Sequence, residues 1–416
     1  MAHYLLTPFG SAGDVNPFIW LGSLLKARGH EVEIITAPMF RESAEKAGLP
    51  FTPVGNEAEL MAILHDPHLW RPYHGTKLVF KHGAEFLRPC FDAIAARVRK
   101  QGTVLVSPFH LFSARIAREK FRVPLVSVHL QPACFFSAID MPLLFPGTEW
   151  VNKLPVWVKR LALAMPNPAA NILMPALRRV CADEGIAAPK RPIPDWMHSP
   201  DVNLALFPEW FAKMQPDWPK RTHTVGFPLE DLTAQFTLPD ALMQWIAEGT
   251  KPVLFSPGTG NVQAAAFFQA ALDACKLLGC RALLGTRFPE QLPSPLPPLA
   301  RHFDYLPFGA LLPHVSALVH HGGIGTLSQA LAAGVPQLVM PMAHDQPDNA
   351  QRLRRLGVGD SLSPKRFTGE RVAEMLRRLM SDQGVAEACA RTAQLCKAGD
   401  AASKAVHVLE SAAFVE

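Results

Sequence analysis

The chain is 416 residues long, 49% hydrophobic and 19% charged, with a formal net charge of +5. That length exceeds one ordinary core and predicts two domains. The small positive charge is scattered, with no Lys/Arg block interleaved with aromatics, which argues against a nucleic-acid partner. No window is apolar enough for long enough to span a bilayer, and the opening MAHYLLTPFGSAGD reads as a first strand rather than a secretion signal.

Residues 3–9 are an apolar run predicted as a buried strand. Residues 15–28 set Phe18, Ile19, Leu21, Leu24 and Leu25 on one helical face, Gly29 stops that helix, and 31–37 return as a strand. A helix over 41–47 and a strand over 50–54 complete a β-α-β-α-β opening, the start of a Rossmann-like parallel sheet. Further strands are predicted at 104–107, 125–129 and 202–206, with irregular proline-rich chain between the last two. The pattern restarts near Gly226-Phe227-Pro228. Strand 252–255 leads into the turn SPGTG at 256–260, then an amphipathic helix over 262–278, a strand at 281–284 and a segment at 304–308. Helices are predicted over 349–356, 369–380 and within 385–412. The expected organisation is an N-terminal domain over 1–227, a C-terminal domain over 228–384 and a tail over 385–416, with a linker near 228–240.

The densest chemistry lies between His320 and Asn349, HHGGIGTLSQALAAGVPQLVMPMAHDQPDN. Gly322, Gly323 and Gly325 follow the apolar run 317–319, and Thr326 opens a helical stretch through Leu327, Ala330 and Leu331 that Gly334 ends. A strand feeding a glycine turn into a helix start presents free N–H groups and the positive end of the helix dipole. Glycines let that backbone approach an anion closely; a phosphate or diphosphate is the natural guest. After the strand-like run 335–340 come Asp345-Gln346 and Asp348-Asn349, carboxylate and amide pairs suited to sugar hydroxyls. An anion cradle and a polyol reader in one βαβ unit outweigh the blander reading of a plain glycine turn.

This segment resembles the donor-site signature of family 1 glycosyltransferases, nucleotide-sugar-dependent enzymes of GT-B fold, and of their microbial relatives that decorate antibiotics, sterols and lipids. The likeness extends to GSAGDVNPFIWLGSLLKARGHEV, WMHSP and LFPEWFAKMQPDWPKRTHTVGFPL, and is nearest to the rhamnolipid-type rhamnosyltransferases. It implies an α/β GT-B fold, two Rossmann-like domains facing a cleft, with a C-terminal helix crossing back to the N-terminal domain. It also implies an inverting transferase that moves a sugar, preferentially rhamnose from dTDP-rhamnose, to a hydroxyl of a hydrophobic acceptor such as a hydroxyalkanoyl lipid. Two alternatives stay open: a UDP-glucose or dTDP-sugar enzyme acting on a polyketide, flavonoid or sterol aglycone, and a UDP-sugar epimerase of the same fold.

Inverting transfer needs a base, and Asp14 in GDVNP follows the first strand, where many relatives carry the histidine of a GHxxP motif. An aspartate there also caps a helix well, and the two roles can coexist. By the resemblance, His321, Gly323, Gly325 and Thr326 serve the departing diphosphate, joined by Ser256, Gly258 and Thr259 of the SPGTG turn. Tyr305 and Phe308 stand where relatives place base-contacting residues in a WAPQ motif. Gln329 replaces the glutamate that reads the ribose, and Asp345 and Gln346 take the sugar. Phe109, Phe112, Phe135, Phe136 and Met141, with Leu143, Leu144, Phe145, Trp150, Trp157 and Trp196 beside them, suggest an apolar acceptor pocket, although for any one of them ordinary core is the commoner role. His110, His129 and His198 read as pocket residues or, more blandly, as structural histidines.

Seven cysteines, odd in number and without a CxxC, fit core thiols in a reducing cytoplasm. With no HExxH, no zinc-spaced histidines and no DxD, the enzyme is expected to need no metal and no cofactor beyond its nucleotide-sugar donor. The alternation of aromatics and cations from Trp150 to Arg160 offers a second reading of that stretch, a peripheral contact with the inner face of the membrane.

Overall fold

The computed structural model describes residues 1–99, 101–145, 147–165, 167–168, 170–229, 237–258, 261–304 and 307–413. Thr259, Tyr305 and most of the linker expected near 228–240 lie outside these residues. The chain divides into two compact units. One holds Met1–Pro142, Glu149–Pro228 and Asp400–Glu416; the other holds Leu143–Thr148 and Leu229–Gly399.

The first unit is built on seven strands: β1 His3–Leu6, β2 Glu31–Thr36, β3 Phe51–Pro53, β4 Thr103–Pro108, β5 Leu125–His129, β6 Val202–Ala205 and β7 Thr222–Thr224. They pair in parallel in the order β3-β2-β1-β4-β5-β6-β7. Strands β1, β4, β5 and β6 are buried at every position, as a sheet covered on both faces requires. The strand order reverses between β1 and β4, so the loops after these two strands flank the switch point where open α/β sheets bind ligands.

Sequence periodicity places β1 and the next helix correctly but misjudges their junction: β1 ends at Leu6 and the helix runs Ala12–Ala27, from Ser11 as its cap. The helices Pro72–Ala95 and Ala170–Asp183 are not anticipated, and the second occupies chain expected to be irregular. Each carries an internal proline, Pro89 and Pro175, which costs roughly 3 kcal/mol in an isolated helix and suppresses the local signal. The two helices pack against each other, and that burial outweighs the defect.

The second unit has six parallel strands: β8 Val253–Ser256, β9 Ala282–Gly285, β10 Ala300–Phe303, β11 Ala317–His320, β12 Gln337–Val339 and β13 Gly359–Ser361. Their order is β10-β9-β8-β11-β12-β13, with the switch point between β8 and β11. Phe255, Phe267, Phe268, Val319, Leu338 and Leu376 are among the side chains of one core, while Leu254, Leu283, Leu311 and Leu318 belong to the other. Strand β10 precedes the segment expected at 304–308, and the helix expected from 349 starts at Gln346.

The tail expected over 385–416 is divided. Helix Gln383–Lys397 packs on helix Ile324–Ala333 inside the second unit, with Gly334 close against Cys389 and Ala393. Helix Ala401–Ala412 belongs to the first unit and packs on Ala12–Ala27. It is anchored there by Tyr4 Oη, which donates to the Leu409 carbonyl at 3.1 Å, and by Glu410, which pairs with Arg28 and His30, each at 3.1 Å. Among the described residues no helix is long and apolar enough to cross a membrane.

Candidate active site

In the second unit, residues after β8 and β11 meet. Ser256 and His320 are register partners on adjacent strands. Gly258 takes φ +102°, and a Cβ added there would stand 2.8 Å from the His321 ring. A Cβ at Gly323 would stand 2.6 Å from His321 Nε2. The imidazole is therefore held between two glycine backbones, and no larger residue fits at either place without displacing it. Burial pushes the His321 pKa down to about 4, so the ring is neutral near pH 7.

His320 has a different role from its neighbour. It is fully buried; Nε2 donates to Gln337 Oε1 at 3.0 Å and Nδ1 accepts the Gly322 N–H at 3.1 Å. This fixes one neutral tautomer, consistent with a pKa pushed by burial to about 3. His320 shapes the glycine turn from below.

Helix Ile324–Ala333 then starts at Gly323 with no side-chain cap, so its first amides are offered outward beside His321. Gly325 is exposed, with nothing of the protein within 4 Å of where a Cβ would sit. Thr326 is half-buried in the same turn. Gln329, one turn on, donates to the Leu229 carbonyl at 3.3 Å, so its amide holds the start of the domain as well as standing where a ribose reader is expected. Phe308 opens the short helix Phe308–Leu311 and packs its ring on the leucine core of this unit.

The polyol reader is narrower than the sequence suggests. Because helix Gln346–Leu356 starts so early, Asp348 and Asn349 fall in its first turn and are buried. Asp348 pairs with the buried Arg352 at 2.8 Å and accepts the Leu143 N–H at 3.2 Å. Asn349 donates to the Gly322 carbonyl at 2.9 Å and to Asp345 Oδ2 at 2.6 Å. It is a brace that ties Asp345 to the glycine turn. Gln346 is also buried, its Oε1 accepting the N–H groups of Met342 at 2.8 Å and Ala343 at 3.2 Å. Only its amide nitrogen remains for a ligand. Asp345 is half-exposed, and His344 just before it has φ +60°, a strained backbone that aims this turn.

In the first unit, Asp14 is the third residue of its helix and closes a capping box. The Ser11 N–H and O–H both donate to Asp14 Oδ2, each at 2.8 Å. Gly10 makes room for this carboxylate, since a Cβ there would stand 2.5 Å from Oδ2. His110, after β4 on the other side of the switch point, donates from Nε2 to the Phe9 carbonyl at 3.4 Å. Burial lowers its pKa, and the Asp14 carboxylate partly offsets that, which marks the two as electrostatic neighbours. Position after β4 is what brings His110 here; in the sequence it stands alone.

The acceptor candidates separate by burial. Phe112 and Phe135 are core residues. Phe135 stacks on Trp218 at 4.1 Å and on His198 at 5.7 Å, and lies 4.4 Å from His129. Phe109, Phe136 and Met141 are half-exposed. Leu143, Leu144 and Phe145 fall in the second unit, and Trp157 is exposed to solvent. Burial turns Phe112 and Phe135 into the core rather than toward an open pocket, and Phe135 is further engaged by its ring stack, which corrects the assignment of these two. Burial pushes His198 to about 4 and holds His129 well below its ordinary value, so both are neutral.

Comparison with known proteins agrees at both ends of the chain. Residues 4–131 match the glycosyltransferase family 28 N-terminal domain, and residues 287–410 match the erythromycin biosynthesis protein CIII-like C-terminal domain. The chain is a glycosyltransferase of GT-B fold. This glycosyltransferase is 28% identical to O-mycaminosyltylonolide 6-deoxyallosyltransferase of Streptomyces fradiae, over 92% of its own length and 90% of the relative's. Its fold is shared with the calicheamicin glycosyltransferase CalG4, at TM-score 0.73 and 20% identity, covering 99% of this chain and 98% of that one. It is also shared with the spinosyn rhamnosyltransferase SpnG complexed with thymidine diphosphate, at TM-score 0.69 and 20% identity, covering 98% and 100%.

Proposed function

We propose that this glycosyltransferase moves a 6-deoxyhexose, preferentially rhamnose, from a dTDP-sugar to a hydroxyl of a hydrophobic natural product, with inversion at the anomeric carbon and without a metal. The observation that carries the donor half is the uncapped helix start at Gly323 set beside a neutral His321. Backbone N–H groups there stabilise the charge that develops on the departing diphosphate, and they cost no reorganisation in the transition state. Thymidine diphosphate bound to SpnG and the deoxysugar in the name of the Streptomyces fradiae relative support a dTDP-linked deoxyhexose. Asp345 grips sugar hydroxyls, with Gln346 contributing its amide nitrogen. Asp14 is the base: Oδ2 is held by Ser11, and Oδ1 takes the acceptor proton as the acceptor oxygen attacks the anomeric carbon. The carbon–oxygen bond to the diphosphate breaks, and dTDP leaves.

The acceptor is a hydroxyalkanoyl lipid in the preferred reading. A polyketide aglycone is the second reading, favoured by the O-mycaminosyltylonolide in the name of that relative. A panel of dTDP-rhamnose and UDP-glucose against a hydroxyalkanoyl lipid, a macrolactone and a phenolic aglycone, read by product mass, decides between them. A deoxyhexose on the lipid is the expected product; a hexose on the phenol would overturn both substrate assignments. Donor turnover without any acceptor would point to an epimerase. Added chelator should leave the rate unchanged, and a large loss would show that a metal takes part.

A further inference from the structure

Helix Val156–Ala164, VWVKRLALA, is built inside out. Its one buried residue is Lys159, 3% exposed, whose Nζ reaches toward the Ile139 carbonyl at 3.4 Å. Several of its large apolar residues face solvent instead: Trp157 is 69% exposed, Leu161 62%, and Met165, at the C-cap, 67%. Spaced by four, these three lie on one helical face. Trp150, in the turn just before, is 59% exposed. Soluble helices turn such side chains inward, so this arrangement calls for a partner.

Charge indicates which partner. Residues 150–165 contain Lys153, Lys159 and Arg160 and no Asp or Glu, with Glu149 just before them. All of these cations except Lys159 are exposed. We infer that this face docks on an anionic lipid surface, with Trp157, Leu161 and Met165 entering the headgroup–acyl boundary and the cations meeting lipid phosphates. A second copy of the chain is a poorer partner, because a two-fold contact would set the same cations against one another. The inference stands apart from the identity of donor and acceptor.

The test is co-sedimentation of the full chain with phosphatidylcholine vesicles, with and without a one-third share of phosphatidylglycerol. Binding to the anionic vesicles is expected, weakening at least tenfold on phosphatidylcholine alone or in high salt. The double variant Trp157→Asp with Leu161→Asp should lower the partition coefficient at least tenfold with an unchanged circular dichroism spectrum. Should that variant misfold, Arg160→Glu, an exposed single change, should still weaken binding several-fold. Equal binding to both vesicle types, or no loss in the folded variants, would overturn the proposal. So would a dimer seen by light scattering that the double variant disperses, since a second copy would then cover this face.

Discussion

The two switch points are built alike and furnished differently. In each unit the loops come from two adjacent parallel strands, β1 and β4 in the first and β8 and β11 in the second. In the second unit both loops are glycine-rich, and Gly258 and Gly323 clamp a neutral His321 beside an uncapped helix start. In the first, the helix start is already closed by the Ser11–Asp14 capping box, so the same place holds a fixed negative charge with His110 nearby. One Rossmann-type device thus yields opposite electrostatics. An open N-terminus attracts an anion, and a carboxylate in that position repels one and accepts a proton.

The largest effect should come from the first unit, where the proposed base sits. Asp14→Asn keeps a side chain of the same shape and should lower kcat about a hundredfold or more, with dTDP affinity unchanged in calorimetry. Turnover near that of the parent enzyme would remove Asp14 as the base. On the other side, Gly323→Ala should weaken dTDP binding about tenfold or more, because its Cβ collides with His321. Gly325→Ala is the control within the same turn: its Cβ meets nothing of the protein, and alanine favours a helix by up to about 1 kcal/mol. It should leave thermal stability equal or raised while weakening dTDP binding a few-fold. Intact affinity in both variants would mean that the diphosphate does not approach this turn.

Asp345→Ala should raise the donor KM by roughly three- to tenfold and spare kcat more than Asp14→Asn does, as loss of a binding contact would. The smallest effect concerns pH. His320 and His321 have folded pKa values of about 3 and 4 against an ordinary 6.5. The unfolded chain therefore binds protons that the fold refuses. Their contribution to stability is complete above pH 6.5 and is lost as pH falls toward 4 for His321 and toward 3 for His320, by at most about 1.4 kcal/mol per pH unit for each histidine. Saturating dTDP should lower the acid midpoint by about half a pH unit, since a diphosphate stabilises the folded state and the His321 imidazolium. An unmoved midpoint in acid unfolding curves would separate His321 from the donor.

Much of the donor side is contiguous, and contiguity is what makes it legible. From His320 to Asp345 the residues that shape the turn, open the helix and are proposed to meet the sugar lie within one βαβ unit, where local backbone rules apply. The same local reasoning overreads Asp348 and Asn349, because it cannot tell that a helix begins at Gln346 and turns these two side chains inward. On the acceptor side, Phe109, Phe135, His198 and Trp218 come from four separated stretches. Whether each lines a pocket or fills a core depends on ring stacking that periodicity does not encode.

The sequence by itself determines the two parallel α/β sheets, the glycine turn, the carboxylate after β1 and a helical end to the chain. Each follows from hydrophobic period or from backbone chemistry within a few residues. Tertiary structure alone decides that Asn349 braces rather than binds, that His110 joins Asp14, and that the tail parts at Gly399 so that only its last helix returns to the first unit. It also decides that Val156–Ala164 buries its lysine and exposes its tryptophan. Those outcomes depend on which distant surfaces compete for the same side chain, and that competition exists only once the chain has folded.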